Sequence, residues 1–250
     1  MNCGVKMSSR LGRTMNEKRL FLIVEGETEK GCLPLLLESY FRALGAEMQC
    51  ILIGEKRRTP GGGNFNLSEF NKHIAWLARK HSGCFISTCF DYYRLGSNWP
   101  NYQQIHAQRL NKYAEVQELE KALLAEVQQA HTSDVLWDNH FIPHIQLHEI
   151  ETLFFSQPEI FAGILNDDSL ISAMDNVIKT AQHNCELIND NYDTCPSRRL
   201  ENLTNGRYKK GSSSSAHAPI FMQRADLTAI RSACRHFDAW LKKLEAMIEA

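Results

Sequence analysis

A short apolar run that ends abruptly in an acid and a glycine constrains this chain more than any other feature. Phe21-Leu22-Ile23-Val24 is followed at once by Glu25-Gly26-Glu27-Thr28-Glu29. Apolar residues without polar alternation read as a strand covered on both faces, as in parallel sheets. Glu25 then stands at the carboxyl end of that strand, the edge where open α/β sheets hold their ligands. Gly26 allows a sharp turn, and Thr28 is the expected N-cap of the helix that follows, with Glu27 and Glu29 near its positive end. Three carboxylates within five residues suit a divalent cation held by oxygen ligands. A plain strand-to-helix turn with surface acids fits this nonapeptide equally well.

The same pattern recurs along the chain. A helix is expected over 28–44, with Leu33, Leu36, Leu37, Tyr40, Phe41 and Leu44 on its apolar side and Gly45 closing it. A strand over 48–53 leads to a basic, glycine-rich connection over 54–66, which lacks the Gly-Lys-Ser/Thr of a phosphate loop. A second helix over 67–81, capped by Ser68, is broken by Gly83. The strand over 84–90 then delivers Asp91 to the rim as the first delivers Glu25. Strands alternating with helices imply right-handed crossovers and a parallel sheet, so both acids converge on one crevice. A long loop over 92–104 and a helix over 105–130 follow. A strand over 141–147, interrupted by Pro143 and hence at an edge, ends in His148-Glu149-Ile150-Glu151. Beyond 152 the pattern is helical over 158–165 and 168–189. A basic stretch follows, then a low-complexity loop at 211–215. Last comes a helix capped by Asp226 with Leu227, Ile230, Cys234, Phe237, Leu241, Leu244 and Ile248 on one stripe. The expected organisation is a loose tail over 1–17, with Met15 as an alternative start, an α/β core over 18–155 and a helical portion over 156–250 packed on it.

Composition narrows the class. With 43% hydrophobic and 23% charged residues the 250-residue chain reads as a soluble globular protein. No apolar run is long enough to span a membrane, and no signal-peptide pattern opens the chain. The 8 cysteines lack Cys-x-x-Cys spacing, so they read as buried thiols of a cytoplasmic protein rather than disulfides or a zinc cage. The net charge is only −1, yet Arg198, Arg199, Arg207, Lys209 and Lys210 fall in one stretch whose sole acid is Glu201. Alone, that stretch is a solvated basic loop. Beside an acidic rim, it suits a polyanion held against metal ions.

Val24-Glu25-Gly26-x-Thr28-Glu29 resembles the opening motif of Toprim domains, in the form used by overcoming-lysogenization-defect (OLD) nucleases. Phe90-Asp91-Tyr92-Tyr93, His148-Glu149-Ile150-Glu151 and Pro196-Ser197-Arg198-Arg199-Leu200 follow in order. The series resembles a Toprim-like family of uncharacterised bacterial proteins (domain of unknown function 4276), often encoded beside AAA or ABC-type ATPases in phage-defence neighbourhoods. The resemblance covers about residues 18–245. It implies a Toprim-like parallel sheet flanked by helices, Mg2+ or Mn2+ as cofactor, hydrolysis of DNA or RNA, and an ATPase partner.

On that footing Glu25 is the first ligand or general base and Asp91 the principal metal ligand. Glu149 and Glu151 are candidates for the ligand from the fourth strand, and Glu29 for a further one. An extended segment would point 149 and 151 to one side, whereas a helix starting at Glu149 would splay them by about 200°. Toprim domains usually carry Asp-x-Asp where this chain has Asp91-Tyr92-Tyr93, and a phenol of pKa about 10 is a poor Mg2+ ligand. Either Glu149 or Glu151 supplies the missing oxygen, or the site holds one ion, or the chain is a degenerate Toprim module that binds nucleic acid or regulates an ATPase without cutting. His140, His144 and His148 are spaced for a zinc face, but Pro143 argues against the helix this needs, and His148 reads as a partner of the acids. Arg198 and Arg199 are expected to grip phosphate. Tyr208, beside Lys209 and Lys210, is expected to offer a stacking face. A nucleotide-binding protein of another class is disfavoured by the missing phosphate loop.

Overall fold

Alternation within the buried strands decides the architecture. The computed structural model describes residues 18–53, 65–131, 137–188, 191, 193–211 and 214–250. In chain order its elements are β1 (Lys18–Val24), α1 (Glu27–Ala43), β2 (Ala46–Leu52), α2 (Leu67–Lys80), β3 (Phe85–Asp91), α3 (Tyr102–Ala107), α4 (Lys112–Ala130) and α5 (Trp137–His140), then β4 (Phe141–Ile142), β5 (Ile145–Gln146), α6 (Pro158–Leu165), α7 (Ser169–Thr180), α8 (Pro196–Leu203), α9 (Ser214–Arg224), α10 (Leu227–Ala233) and α11 (Arg235–Glu249). The strands pair in parallel in the order β2-β1-β3-β4, with β5 also on β3. Leu20, Leu22, Val24 and Cys89 face a core shared with Leu33, Leu37 and Phe41 of α1 and Phe237, Trp240 and Leu241 of α11. Phe21, Ile23, Ile86 and Phe90 face the opposite core, built with Phe70, Ile74 and Leu77 of α2 and Val116, Leu119 and Leu123 of α4. β1 lacks a polar face because helices cover both of its sides. The fold is α/β, a parallel sheet flanked by helices.

Pro143 explains the odd fourth position in the sheet. Having no N–H, it cannot join the ladder, so the expected strand divides into β4 and β5. Two polar residues of β3 close the gap. The Thr88 hydroxyl donates to the His144 carbonyl (2.9 Å) and accepts from the His144 N–H (2.8 Å). Ser87 donates to the Ile142 carbonyl (2.6 Å) and accepts from the Trp240 indole (2.9 Å). Buried hydroxyls in a sheet strand are thereby satisfied, as burial requires.

Local signals differ from expectation in several places. Asn66, not Ser68, caps α2, accepting from Glu69 N–H. Gly26 occupies the N-cap position of α1 in place of Thr28, with no side-chain cap. The helix expected over 105–130 is broken near Arg109, whose φ is +51°. The final stripe divides at Cys234 into α10 and α11. Of the loop expected at 211–215, residues 214–215 open α9 and Gly211 stays in a turn, while residues 212–213, the tail over 1–17 and the connection over 54–64 lie outside the described residues.

The start of α11 is capped from far along the chain. Glu186, fully buried, accepts the N–H groups of His236 (2.7 Å) and Phe237 (2.9 Å) and the Tyr113 hydroxyl (2.8 Å). An anion at the positive end of a helix, binding donors that α11 cannot satisfy itself, is favourable. Glu186→Ala leaves two buried N–H groups without acceptors and should cost about 2–4 kcal/mol. Glu186→Gln, which keeps one oxygen, should cost less. Denaturant melts measure this, and an unchanged Glu186→Ala would remove the cap from the account.

Candidate metal centre at the sheet rim

Five carboxylates meet at the carboxyl edge of the sheet. Asp91 is the last residue of β3, and Glu25 follows β1 directly. Glu29 sits one turn into α1, buried, with its carboxylate folded over Gly26. A Cβ at Gly26 would stand 1.9 Å from Glu29 Oε2, so any larger residue here would displace the Glu29 carboxylate from this position. Glu149 and Glu151 arrive after β5 through His148, whose left-handed backbone (φ +64°) redirects the chain. Glu149 is extended and a 3-10 turn runs over Ile150–Ser156. Both acids reach one place, so neither alternative drawn from the sequence describes the segment fully.

Lys210 joins them. Its Nζ lies 2.8 Å from Glu149 Oε1 and 3.4 Å from both Asp91 Oδ2 and Glu151 Oε2. Arg94, which sequence reasoning missed, places Nε 3.8 Å from Asp91 Oδ2. It sits in a 3-10 turn over Tyr92–Arg94, so residues 91 and 93 are not aligned as in a strand, and the second Asp-x-Asp position points elsewhere. The Tyr93 ring instead lies against the His148 ring, centroids 5.5 Å apart. His148 in turn contacts the Glu186 carbonyl through Nε2 at 3.0 Å.

Charge follows geometry. Burial, then repulsion from Asp91, pushes the Glu25 carboxyl up to about 8. The same causes push Glu29 up to about 7. Burial raises Asp91 and Glu151 above the usual carboxylate range against the pull of Lys210. Burial would also raise Glu149, but the Lys210 charge and hydrogen bonds from Lys210 and Ser197 N–H (3.0 Å) hold it low. Burial would lower Lys210, and the three carboxylates outweigh it and raise it. Glu25 Oε2, Glu29 Oε2, Asp91 Oδ1 and Glu151 Oε2 are buried and accept no hydrogen bond.

The basic residues expected to hold nucleic acid do not act alike. Tyr208 is fully buried and its hydroxyl donates to Glu151 (3.0 Å), so it presents no stacking face. It steadies an acid instead. Arg199 donates Nε to the Thr194 carbonyl (2.8 Å), tying down its own loop. Arg198 pairs with Glu201 (2.7 Å). Lys209 is exposed, and Lys210 belongs to the rim.

The histidine spacing has a different outcome. His140 stacks on Phe85, and the three histidines do not converge. His144 meets Glu120 and His236, and the ligand atoms of these three buried residues lie within 4.8 Å of one another, a group that could hold a metal ion. No acid-rim trio among the described residues is drawn that close. The His144 and His236 rings are nearly parallel (24°, centroids 4.9 Å), so their in-plane lone pairs run side by side. Glu120 Oε1 already accepts from His236 Nε2 (2.8 Å) and Ile145 N–H (2.9 Å). Those contacts tie α4, β5 and α11 together, and they favour an anchor.

A family profile described as "Domain of unknown function (DUF4276)" matches residues 24–245. No curated protein matches the chain. Among solved structures, the C-terminal region of the Xanthomonas campestris pv. campestris OLD protein is similar at 14% identity with a TM-score of 0.40, covering 92% of this chain and 99% of that one. No helix among the described residues is long and apolar enough to cross a membrane.

The raised acids set a pH dependence. A carboxyl whose pKa is higher folded than unfolded contributes stability below its unfolded pKa, and that contribution is lost as pH rises through the folded value. Glu25 and Glu29 start from 4.5 and reach about 8 and about 7. The metal-free chain should therefore lose stability from these groups between pH 4.5 and 8. Urea melts in EDTA should show a shallower decline over that window for Glu25→Gln combined with Glu29→Gln. An identical decline would mean the two acids ionise freely.

Proposed function

The chain belongs to the DUF4276 family, and we propose that it is a Mg2+- or Mn2+-dependent nuclease that hydrolyses phosphodiesters of DNA or RNA. The observation that carries this reading is the set of buried rim carboxylate oxygens that accept no hydrogen bond. Buried carboxyl oxygens without hydrogen bonds are relieved by a proton or by a cation, and a divalent cation would replace the protons that burial holds on Glu25 and Glu29. Mg2+ usually takes one or two carboxylates and keeps waters and phosphate oxygens, so acids spread more widely than a zinc cage still fit it. Asp91, Glu25 and Glu151 would hold the ion, with Glu29 and Glu149 as further candidate ligands. When bound, it would polarise the phosphate and lower the pKa of an attacking water.

The chain's own groups supply the rest. Glu25 is the least buried of the five; its carboxyl, pushed up to about 8 without metal, would lose its proton beside a bound cation and then serve either as a ligand or as the general base. Lys210 can turn from the carboxylates toward a phosphate oxygen, with Arg94 keeping Asp91 in place. The defence setting, a cytoplasmic location and an AAA or ABC-type ATPase partner complete the reading and rest on the resemblance of the motifs.

A second reading has an observation in its favour. Lys210 and Arg94 already bring two cations to the rim, as in a degenerate Toprim module that binds nucleic acid or regulates an ATPase without cutting. The full chain incubated with Mg2+ or Mn2+ and mixed single- and double-stranded DNA and RNA separates the two. Cleavage that EDTA stops, and that falls to background in Glu25→Gln and in Asp91→Asn, is expected. Wild-type rates in either variant would contradict the site. Binding without cleavage would give the degenerate module.

A further inference from the structure

A cavity of about 470 Å3 opens beside the acid rim and shares Glu149 and Lys210 with it. Its other walls include Tyr93, Ser197, Arg198, Glu201 and Lys209. We propose that this cavity receives one unstacked nucleoside of the substrate, next to the phosphate held at the rim, with Tyr93 as its stacking face. The chain would then act on single-stranded or unpaired nucleic acid. This deepens the nuclease reading and rests on it for the position of the phosphate.

Size, shape and chemistry support the assignment. The volume falls within the range of small-molecule sites, about 300–1,000 Å3, and suits one nucleotide unit rather than a duplex. Tyr93 is 36% exposed. Its ring is braced by His148 and by the edge of Tyr92, centroids 5.5 and 5.9 Å away. A braced, accessible aromatic ring beside cationic side chains is how single-strand sites hold bases. Arg198, held by Glu201 at 2.7 Å, and the exposed Lys209 give the sugar-phosphate a cationic wall. The walls set Arg198, Lys209 and Lys210 against Glu149 and Glu201, so the excess positive charge suits the sugar-phosphate and leaves Tyr93 to the uncharged base. A base inside a duplex is stacked and paired, and it reaches such a cavity only by leaving the helix.

The test is equilibrium binding of the full chain, with Ca2+ replacing Mg2+, to labelled single-stranded DNA and RNA octamers. A matched duplex and an abasic octamer with the same phosphates are the controls. Tyr93→Ala should weaken binding of the base-bearing single strands roughly five- to hundredfold. Tyr93→Phe should bind as wild type does. The abasic strand should bind weakly, with the same affinity for wild type and Tyr93→Ala, and the duplex should bind less tightly than the single strand. Equal losses on base-bearing and abasic strands, no loss on either, or no binding of any single strand by wild type would overturn the proposal. The nuclease reading stands or falls separately, on cleavage in Mg2+. A chain that cuts while Tyr93→Ala binds and cuts normally would keep the nuclease and lose the base pocket. A chain that never cuts but discriminates bases through Tyr93 would do the reverse.

Discussion

Carboxylates gathered at one rim repel each other, and burial makes every negative charge there more expensive. The rest of the site follows from how this chain resolves that conflict. Part of the answer is protonation, since burial and mutual repulsion push Glu25 and Glu29 up to about 8 and about 7. The other part is internal positive charge. Lys210, 119 residues from Asp91 in sequence, reaches three of the acids, and Arg94 holds Asp91 from its own turn. Four of the rim carboxyl oxygens still accept no hydrogen bond, although Lys210 Nζ stands 3.4 Å from one of them, Glu151 Oε2. A rim that stays short of positive charge after two cations is suited to take another.

The sheet makes this tension affordable. β1 and β3 are clamped between two apolar cores, so the rim acids are carried on rigid elements rather than on loops alone. Tyr208 and Ser197 then fix Glu151 and Glu149 by hydrogen bonds. A polar anchor of Glu120, His144 and His236 ties α4, β5 and α11 beneath the same edge, where burial would raise the Glu120 carboxyl but the His144 ring 3.6 Å away and the hydrogen bond from His236 bring it down to about 2.

Much of this was legible in the sequence for identifiable reasons. Continuous apolar strands ending in Glu25 and Asp91 announce both the parallel sheet and its rim, because strand burial and strand-end position are local properties. The convergence of Glu149 and Glu151 was legible only as a pair of alternatives, since a left-handed His148 between strand and 3-10 turn has no composition signal. By sequence, Lys210 stands among the nucleic-acid contacts and Tyr208 as a stacking face. Both depend on how the stretch after α8 folds back onto the rim, a long-range contact that no periodicity encodes. Arg94 carries no motif signal, and in an extended segment a residue three positions on would point away from Asp91. The 3-10 turn that brings it back was hidden in a loop rich in aromatic residues. The helix α9 was masked by its serine-rich start.

The central claim is that the acid rim, and not the buried histidine group, binds a divalent cation. Mn2+ titrated calorimetrically into the full chain and two variants tests it directly, with circular dichroism confirming that each is folded. Binding should be present in wild type, persist in His236→Gln, where an amide can still donate to Glu120, and vanish in Asp91→Asn. Binding that survives Asp91→Asn but disappears in His236→Gln, or no binding in wild type, would contradict the account.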